Sequence, residues 1–310
     1  MSEYYDDEEV LFKLNSEILS KKTTYVVERL LGEGGFGAVY KVRDSKTGKH
    51  YAMKVEKRHE KRPSKLKMEI VILKLVSKER KNSHFTEIVD RGRREKEGFS
   101  FLVMELAGPS LADLKRKRGK VFSCPTGISV SQQCLEACED LHKYGFIHRD
   151  LKPANYACGG EGKAHTIIIL DFGISRKILN DRDELKTPRV TCRFKGTLKF
   201  ASITCHKNQE MGWKDDCESW FYLLLDLIAP NGLIWKGSQD KNAILRMKEE
   251  SRFRKETYQG IPCGLELSKI INYLDKLKYQ DRVDYQYIYK ILEEACVTCD
   301  GKMDDPYDWE

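Results

Sequence analysis

The sequence has no long hydrophobic run and no pattern of a secretory signal. The nearest apolar run, residues 220–230, is interrupted by Asp226, whereas a membrane-spanning helix needs about 20 apolar residues. Residues 1–10 carry five acids and no base, whereas a secretory signal begins with basic residues that an apolar stretch follows. We therefore expect no membrane segment, no export and residence in the cytoplasm, with entry into the nucleus left open.

The sequence also lacks internal repeats, low-complexity linkers and the cysteine framework of a small secreted protein. Ten cysteines are scattered over 310 residues, which favours reduced thiols in a large domain. Cys296 and Cys299 have the spacing of half a zinc site, but no second pair of matching spacing lies nearby in the sequence. Two ordinary thiols near a helix end are the favoured interpretation.

Positive charge dominates the body of the chain. The formal net charge is +7, although residues 1–10 hold five acids and residues 300–310 hold five acids with Lys302. A basic body can attract nucleic acid, an acidic membrane, or acidic and phosphorylated proteins. No nucleic-acid recognition motif accompanies the charge, so a nucleic-acid binder is disfavoured. The basic run at residues 115–120 is similar to a nuclear-import signal, but a solvated helix end is favoured.

Apolar periodicity in the first third of the chain predicts an antiparallel sheet with one main helix. Strand-like runs lie at residues 25–27 with 30–31, 38–42, 51–55, 87–90 and 99–105. A helix is predicted over residues 64–79, where apolar residues recur at steps of three and four: Leu66, Ile70, Leu73 and Val76.

Glycine and proline interrupt the pattern near residues 106–109 and indicate a hinge. Beyond it, helices are predicted near residues 127–143, 215–227, 243–250, 265–277 and 285–295. The predicted fold class is α+β, with a small antiparallel-sheet N-lobe that carries one main helix and a larger, mostly helical C-lobe. The predicted boundaries are an N-terminal extension at 1–22, a main domain at 23–298 (N-lobe 23–104, hinge 105–108, C-lobe 109–298) and an acidic C-terminal tail at 299–310.

Two short runs contain the residue types that phosphoryl transfer from ATP requires. One reads His-Arg-Asp-Leu-Lys-Pro-Ala-Asn and ends at Asn155, and the other reads Asp-Phe-Gly and begins at Asp171. Asp150 is predicted to orient the acceptor hydroxyl and take its proton, while Lys152 supplies positive charge to the transferring group. Asn155 and Asp171 offer the oxygen ligands that Mg²⁺ prefers.

A glycine-rich run between two predicted strands is typical of a phosphate-binding turn, because its amides can approach phosphate oxygens without side chains in the way. A strand follows it, rather than the helix that a dinucleotide-binding fold requires. Lys54 is predicted to contact the α- and β-phosphates, and Glu69 to hold that lysine. The predicted catalytic residues are Lys54, Glu69, Asp150, Lys152 and Asn155. The predicted nucleotide-binding residues are Leu31, Gly32, Glu33, Gly34, Gly35, Phe36, Gly37, Ala38, Val39, Ala52, Lys54, Met104, Glu105 and Leu106.

A catalytically silent scaffold is the main alternative, in which the surface and the acidic tails bind partners. Every catalytic position that the motifs define keeps its residue, which favours an active enzyme.

The span from about Thr23 to Thr298 resembles the eukaryotic protein kinases, and within them the casein kinase I superfamily. Where most such kinases have Ala-Pro-Glu, residues 200–204 read Phe-Ala-Ser-Ile-Thr, similar to the Ser-Ile-Asn element of that superfamily. Residues 104–111 look like its hinge and residues 214–219 like its core helix. Three stretches, 67–69, 206–212 and 305–310, resemble the tau-tubulin kinase branch.

The resemblance implies a serine/threonine kinase that uses Mg-ATP and acts on protein substrates as a monomer. Adenine would lie against the backbone of Glu105 and Leu106, and Lys152 and Thr197 fit a preference for serine and threonine acceptors. Activity without obligatory phosphorylation of the activation segment is also implied, although Arg149 could pair with a phosphorylated residue. Thr187 and Thr191 stay open as regulatory sites.

Basic residues in and after the activation segment predict a platform for acidic or already phosphorylated substrates, and solvent-facing charge without preference is the alternative. They are Arg189, Arg193, Lys195, Lys199, His206 and Lys207. The chain departs from the tau-tubulin pattern at Thr204, Lys199 and Leu151. Lysine at 199 in place of arginine loses the fork that binds phosphate in a bidentate manner.

Overall fold

The computed structural model describes residues 12–34, 37–58, 64–76 and 79–310. The chain divides into two compact units. The first unit lies within Met1–Lys78, Phe85–Ala107 and Asp171–Gly173, and the second comprises Glu79–His84, Gly108–Leu170 and Ile174–Glu310. Within the described ranges, no helix is both long enough and apolar enough to cross a membrane.

The first unit is a six-stranded antiparallel sheet with one helix. Its elements are β1 (Glu17–Leu19), β2 (Thr24–Gly34), β3 (Gly37–Asp44), β4 (His50–Lys57), α1 (Lys65–Val76), β5 (Ile88–Arg94) and β6 (Phe99–Glu105). The strand order is β1-β2-β3-β4-β6-β5. Alternate residues of the strands, including Tyr40, Val42, Met53 and Val103, form a hydrophobic core on one face, as the two-residue period of a strand requires.

Helix α1 buries three of the four residues of the predicted apolar repeat: Leu66, Leu73 and Val76. Its buried residues include Glu69 and Ile72, whereas Ile70, which the sequence placed in the repeat, is only half-buried. A charged residue therefore occupies an inward position beside the apolar repeat, which a count of apolar residues alone does not show. The helix also ends its described part at Val76, and residues 77 and 78 of the predicted helix lie outside the described ranges.

The second unit is mostly helical. Its helices are α2 (Leu111–Arg118), α3 (Cys124–Lys143), α4 (Ile203–His206), α5 (Trp213–Ile228), α6 (Lys241–Ser251), α7 (Gly264–Leu274) and α8 (Tyr285–Thr298). Two small two-stranded antiparallel sheets pair β7 (Phe146–Ile147) with β10 (Arg176–Lys177) and β8 (Tyr156–Cys158) with β9 (Ile167–Ile169). Every residue of α5 except Lys214 is buried, which marks α5 as the centre of this unit.

Polar residues at helix starts explain several of the observed boundaries. Ser110, Ser123, Ser202 and Asp284 each accept a hydrogen bond from a backbone amide in the first turn of the helix that follows. Such caps satisfy donors that have no partner inside the helix. The short helices α2 and α4, which the apolar pattern did not predict, both have one.

The segment predicted as an acidic tail packs against the second unit. Tyr307 is buried, and the Trp309 ring lies 5.1 Å from the Phe122 ring. The Asp308 carboxylate accepts hydrogen bonds from the backbone amide of Ser123 at 2.6 Å and from its hydroxyl at 2.8 Å. Asp308 therefore binds at the N-terminal end of α3, where the positive end of the helix dipole favours a carboxylate.

The predicted α+β fold class, with an antiparallel-sheet lobe and a mostly helical lobe, is confirmed.

Candidate active site

In the first unit, Lys54 lies between two carboxylates. Its Nζ is 2.6 Å from Glu69 Oε2 and 2.8 Å from Asp171 Oδ1. Burial by itself would lower the pKa of Lys54, but the facing charges of Glu69 and Asp171 raise it above its ordinary value. The structure thus brings together three residues that the sequence separates by up to 117 positions, and it fixes a permanent positive charge at this point.

The face of the sheet that carries Lys54 is defined by strand pairing. Val39 on β3 pairs with Lys54 on β4, and Ala52, two residues earlier, pairs with Met104 on β6. Residues paired directly or spaced by two project from the same face. Ala38 belongs instead to the core on the opposite face, so any contact of Ala38 with a ligand would use its backbone.

The glycine-rich run forms the end of the β2–β3 hairpin. Gly34 pairs with Gly37, while Gly35 and Phe36 lie outside the described residues. Gly37 has φ +106°, and a Cβ there would lie 1.9 Å from the carbonyl oxygen of Val55, so only glycine fits. A Cβ at Gly32 or Gly34 would meet nothing within 4 Å, so the fold does not require glycine at these two positions.

The remaining predicted nucleotide contacts lie at strand ends. Leu31 and Glu33 are in β2 and are exposed, Glu105 is the last residue of β6, and Leu106 follows it. The Asp-Phe-Gly run is held in the same unit by stacking of Phe172 on Phe85, with ring centroids 5.9 Å apart.

In the second unit, Asp150 is the centre of a compact polar cluster. Its Oδ1 accepts a hydrogen bond from the Thr197 hydroxyl at 2.7 Å, and its Oδ2 lies 2.8 Å from Lys152 Nζ. Lys152 Nζ also donates to the Thr197 hydroxyl at 3.0 Å. Asn155 Nδ2 donates to the backbone oxygen of Asp150 at 2.8 Å. The four residues of this cluster therefore hold one another in place.

A buried carboxylate binds the backbone that leads into this cluster. Asp216 on α5 accepts hydrogen bonds from the backbone amides of His148, at 2.5 Å, and Arg149, at 2.9 Å. Burial alone would raise the pKa of Asp216, but hydrogen bonds from His142 and the His148 amide lower it. Arg149 has φ +71°, a strained backbone that these bonds stabilise. The resemblance of residues 214–219 to a core helix marks this segment, but the composition around Asp216 does not indicate its contact with the loop backbone.

The backbone around Thr197 also needs a glycine. Gly196 has φ +92°, and a Cβ there would lie 2.4 Å from the carbonyl oxygen of Arg149. The close approach places the Thr197 hydroxyl against Asp150. Predicted residues at 150, 152, 155 and 197 are thus adjacent in the second unit.

Three of the predicted platform cations are paired with carboxylates, whereas Arg193 and Lys195 are exposed. Arg189 Nε lies 2.5 Å from Glu210, Lys199 Nζ 2.6 Å from Asp226, and Lys207 Nζ 2.8 Å from Glu249. His206 is buried, and burial together with the nearby Lys248 charge lowers the pKa of its imidazole to about 4. His206 is therefore neutral at pH 7 and adds no charge to a platform.

A different basic surface lies beside the Asp150 cluster. A cavity of about 590 Å³ is lined in the second unit by six cationic side chains and one acid. The cations are Lys115, Arg116, Lys120, Lys152, Lys199 and Lys236, and the acid is Asp226. Lys115 and Lys199 both pair with Asp226, at 2.9 and 2.6 Å, so one carboxylate is shared and positive charge remains in excess.

Comparison with known proteins agrees with this chemistry. Residues 25–290 match the protein kinase domain family, and the chain belongs to that family. A Caenorhabditis elegans protein named as a serine/threonine-protein kinase is 34% identical over 297 residues, covering 92% of this chain and 82% of its own length. The serine/threonine-protein kinase spe-6 of the same organism is 31% identical over 291 residues, covering 92% and 75%. The chain is a protein serine/threonine kinase.

Proposed function

We propose that this kinase transfers the γ-phosphoryl group of Mg-ATP to serine and threonine hydroxyls and is of the casein kinase I and tau-tubulin kinase type. The observation that carries the proposal is the hydrogen bond from the Thr197 hydroxyl to Asp150. The same hydroxyl oxygen of Thr197 lies 3.0 Å from Lys152 Nζ. An aliphatic hydroxyl is thus held by a carboxylate acceptor next to a fixed cation. A substrate serine or threonine would need the same contacts in order to lose its proton to Asp150.

The residues present fit a nucleotide and a divalent cation. Open space where Gly32 and Gly34 lack a Cβ leaves their backbone accessible to phosphate oxygens. Lys54, kept charged by two carboxylates, supplies a permanent cation for a phosphate. The oxygens of Asp171 and of Asn155 are hard donors of the kind that Mg²⁺ prefers, and bound Mg²⁺ would neutralise phosphate charge.

The casein kinase I type is supported by how residues 200–204 are anchored. Ser202 caps α4, and the backbone amide of Ile203 donates to Glu218 at 3.1 Å. Glu218 in turn lies 2.9 Å from Arg252. Glu218 from α5 therefore anchors this segment. The segment itself has no glutamate of an Ala-Pro-Glu motif that could do so.

Glu210 supports activity without phosphorylation of the activation segment. Its carboxylate binds Arg189 through two hydrogen bonds, at 2.5 and 2.9 Å, and lies 3.4 Å from Arg176. Arg149 donates to the carbonyl oxygen of Ile174 at 2.7 Å. A carboxylate within the chain thus already provides the negative charge that a phosphate would bring to Arg176 and Arg189.

The proposed activity is tested with purified chain, casein and Mg-ATP, followed by identification of the phosphorylated residue types. Replacing Lys54 with Met is expected to lower kcat/KM for ATP by roughly 10²-fold or more, because a preorganised phosphate contact is lost. Circular dichroism of the variant checks that the substitution leaves the fold intact. Phosphotyrosine as the main product would overturn the proposal, and unchanged kinetics in Lys54→Met would remove Lys54 from the site.

The basic cavity supports a preference for acidic or already phosphorylated substrates. A substrate phosphate offers three strong acceptor oxygens to side chains such as Lys199 and Lys236. The double variant Lys199→Ala/Lys236→Ala is expected to raise KM for a phosphoserine-containing peptide by roughly 10- to 100-fold, with little change for its unphosphorylated form. Lys269→Ala, at an exposed position on α7, is the control. An equal increase in KM for both peptides would show that the cavity does not recognise the substrate phosphate.

A further inference from the structure

A second cluster of chemically reactive side chains lies inside the second unit, away from any surface. Cys138 and His142 are four residues apart on α3, so they lie on the same face of that helix. Cys217 faces them from α5. The ligand atoms of the three residues all lie within 4.8 Å of one another, and none of the side chains is more than 3% exposed.

The distances resemble those around a tetrahedral zinc ion. Cys138 Sγ lies 3.3 Å from His142 Nε2, and ligand bonds of about 2.3 Å to sulfur and 2.0–2.1 Å to nitrogen place two such atoms about 3.5 Å apart. Asp216 Oδ2 lies 3.0 Å from the same nitrogen, to which it is hydrogen-bonded when no metal is present; a zinc ion would replace that hydrogen bond, and the carboxylate would then provide an oxygen ligand. The other ring nitrogen, Nδ1, is hydrogen-bonded to the Tyr285 hydroxyl, which is the outer contact that fixes a metal-binding histidine.

We propose that Cys138, His142 and Cys217 hold a structural Zn²⁺ ion next to Asp216, which binds the backbone of residues 148–155, here called the catalytic loop. Two thiolates and an imidazole are soft and borderline ligands that favour zinc over magnesium or calcium. Two thiolates neutralise the charge of the ion, and Asp216 as the fourth ligand would bring the site to a net charge of −1, which the backbone amides of His148 and Arg149 help to stabilise.

Zinc binding here is coupled to proton release and to folding. A thiol must lose its proton in order to bind zinc, so the binding of the metal releases protons. When zinc binds, two S–H bonds break, two Zn–S bonds form and two protons pass to water. Because the three ligands are buried, the ion enters while the chain folds and exchanges slowly afterwards.

The location gives the ion a defined role. It would join α3 to α5 next to Asp216, the residue that holds the backbone of the catalytic loop. Zinc would therefore stiffen the support of Asp150 without touching the substrate.

The proposal is tested on the intact chain, expressed in zinc-supplemented medium and purified without a chelator or a metal-binding tag. Elemental analysis should find about one zinc per chain, falling to about 0.1 or less in Cys138→Ser and Cys217→Ser. Refolding the wild-type chain from guanidinium with Co²⁺ should give thiolate-to-cobalt charge-transfer absorption, a readout that needs no variant to fold.

Cys299→Ser is the matched control, because Cys124, Cys263 and Cys299 form a separate group of hydrogen-bonded thiols. This variant should keep the metal. Zinc lost in Cys299→Ser but kept in Cys217→Ser would overturn the proposal, and so would a wild-type chain without zinc that refolds equally well with and without it and shows no cobalt–thiolate absorption.

Discussion

Replacing Asp150 with asparagine is expected to lower kcat by roughly 10²–10⁴-fold and to leave ATP binding almost unchanged. An amide has nearly the same shape as the carboxylate and can still accept a hydrogen bond from Thr197, which lies 2.7 Å from Oδ1. It cannot take a proton from an acceptor hydroxyl at neutral pH. The loss should therefore be in turnover, and initial-rate kinetics with casein together with nucleotide titration would separate the two quantities.

The control for this experiment is Asp181→Asn. Asp181 is fully exposed and has only a long contact of 3.6 Å with Lys177, so its removal should leave kcat unchanged. An Asp150→Asn enzyme that turns over at the wild-type rate would show that another group accepts the proton. A variant that loses nucleotide binding as strongly as turnover would show that Asp150 acts through the fold.

The sequence was sufficient wherever the relevant residues are close in the chain or follow a regular period. The run from Asp150 to Asn155 spans six positions, so its local chemistry could be predicted, and the amphipathic helices α3, α7 and α8 were found from their apolar repeats. Residues 299–310 were predicted only as an acidic tail, because nothing in their composition shows that Ser123 at the start of α3 is bound by the carboxylate of Asp308.

The supporting residues could not be predicted from spacing or composition. Asp216 acts on His148 from 68 positions away, and Glu210 neutralises arginines 21 and 34 positions earlier. Each is an ordinary acid in the sequence, and only the packing of α5 and of the activation segment gives it a partner. The same holds for Cys217, whose neighbours Cys138 and His142 come from another helix.

Replacing Glu218 with alanine is expected to destabilise the second unit by about 3 kcal/mol or more, because it breaks a buried ion pair and leaves Arg252 without its buried partner. Glu218 Oε1 accepts hydrogen bonds from Arg252, Tyr222 and the Ile203 amide, at 2.9, 2.5 and 3.1 Å. All three donors lose their acceptor, and Asp275, which is more exposed, compensates only in part.

Urea unfolding monitored by tryptophan fluorescence measures this effect, because the four tryptophans of the chain all lie in the second unit. Glu249→Ala is the control: its ion pair with Lys207 is nearly half exposed on both sides, so a change of only about 0–1 kcal/mol is expected.

Burial would raise the pKa of Glu218, but Arg252 and the other partners lower it in the folded state. The stabilisation of the folded state by ionised Glu218 is therefore fully present above the unfolded-state pKa, and it is lost as the pH falls through the folded-state pKa. The difference between wild type and Glu218→Ala should shrink on acidification, and a constant difference from pH 7 down to the acid limit of folding would show that lost packing, rather than charge, is the cause.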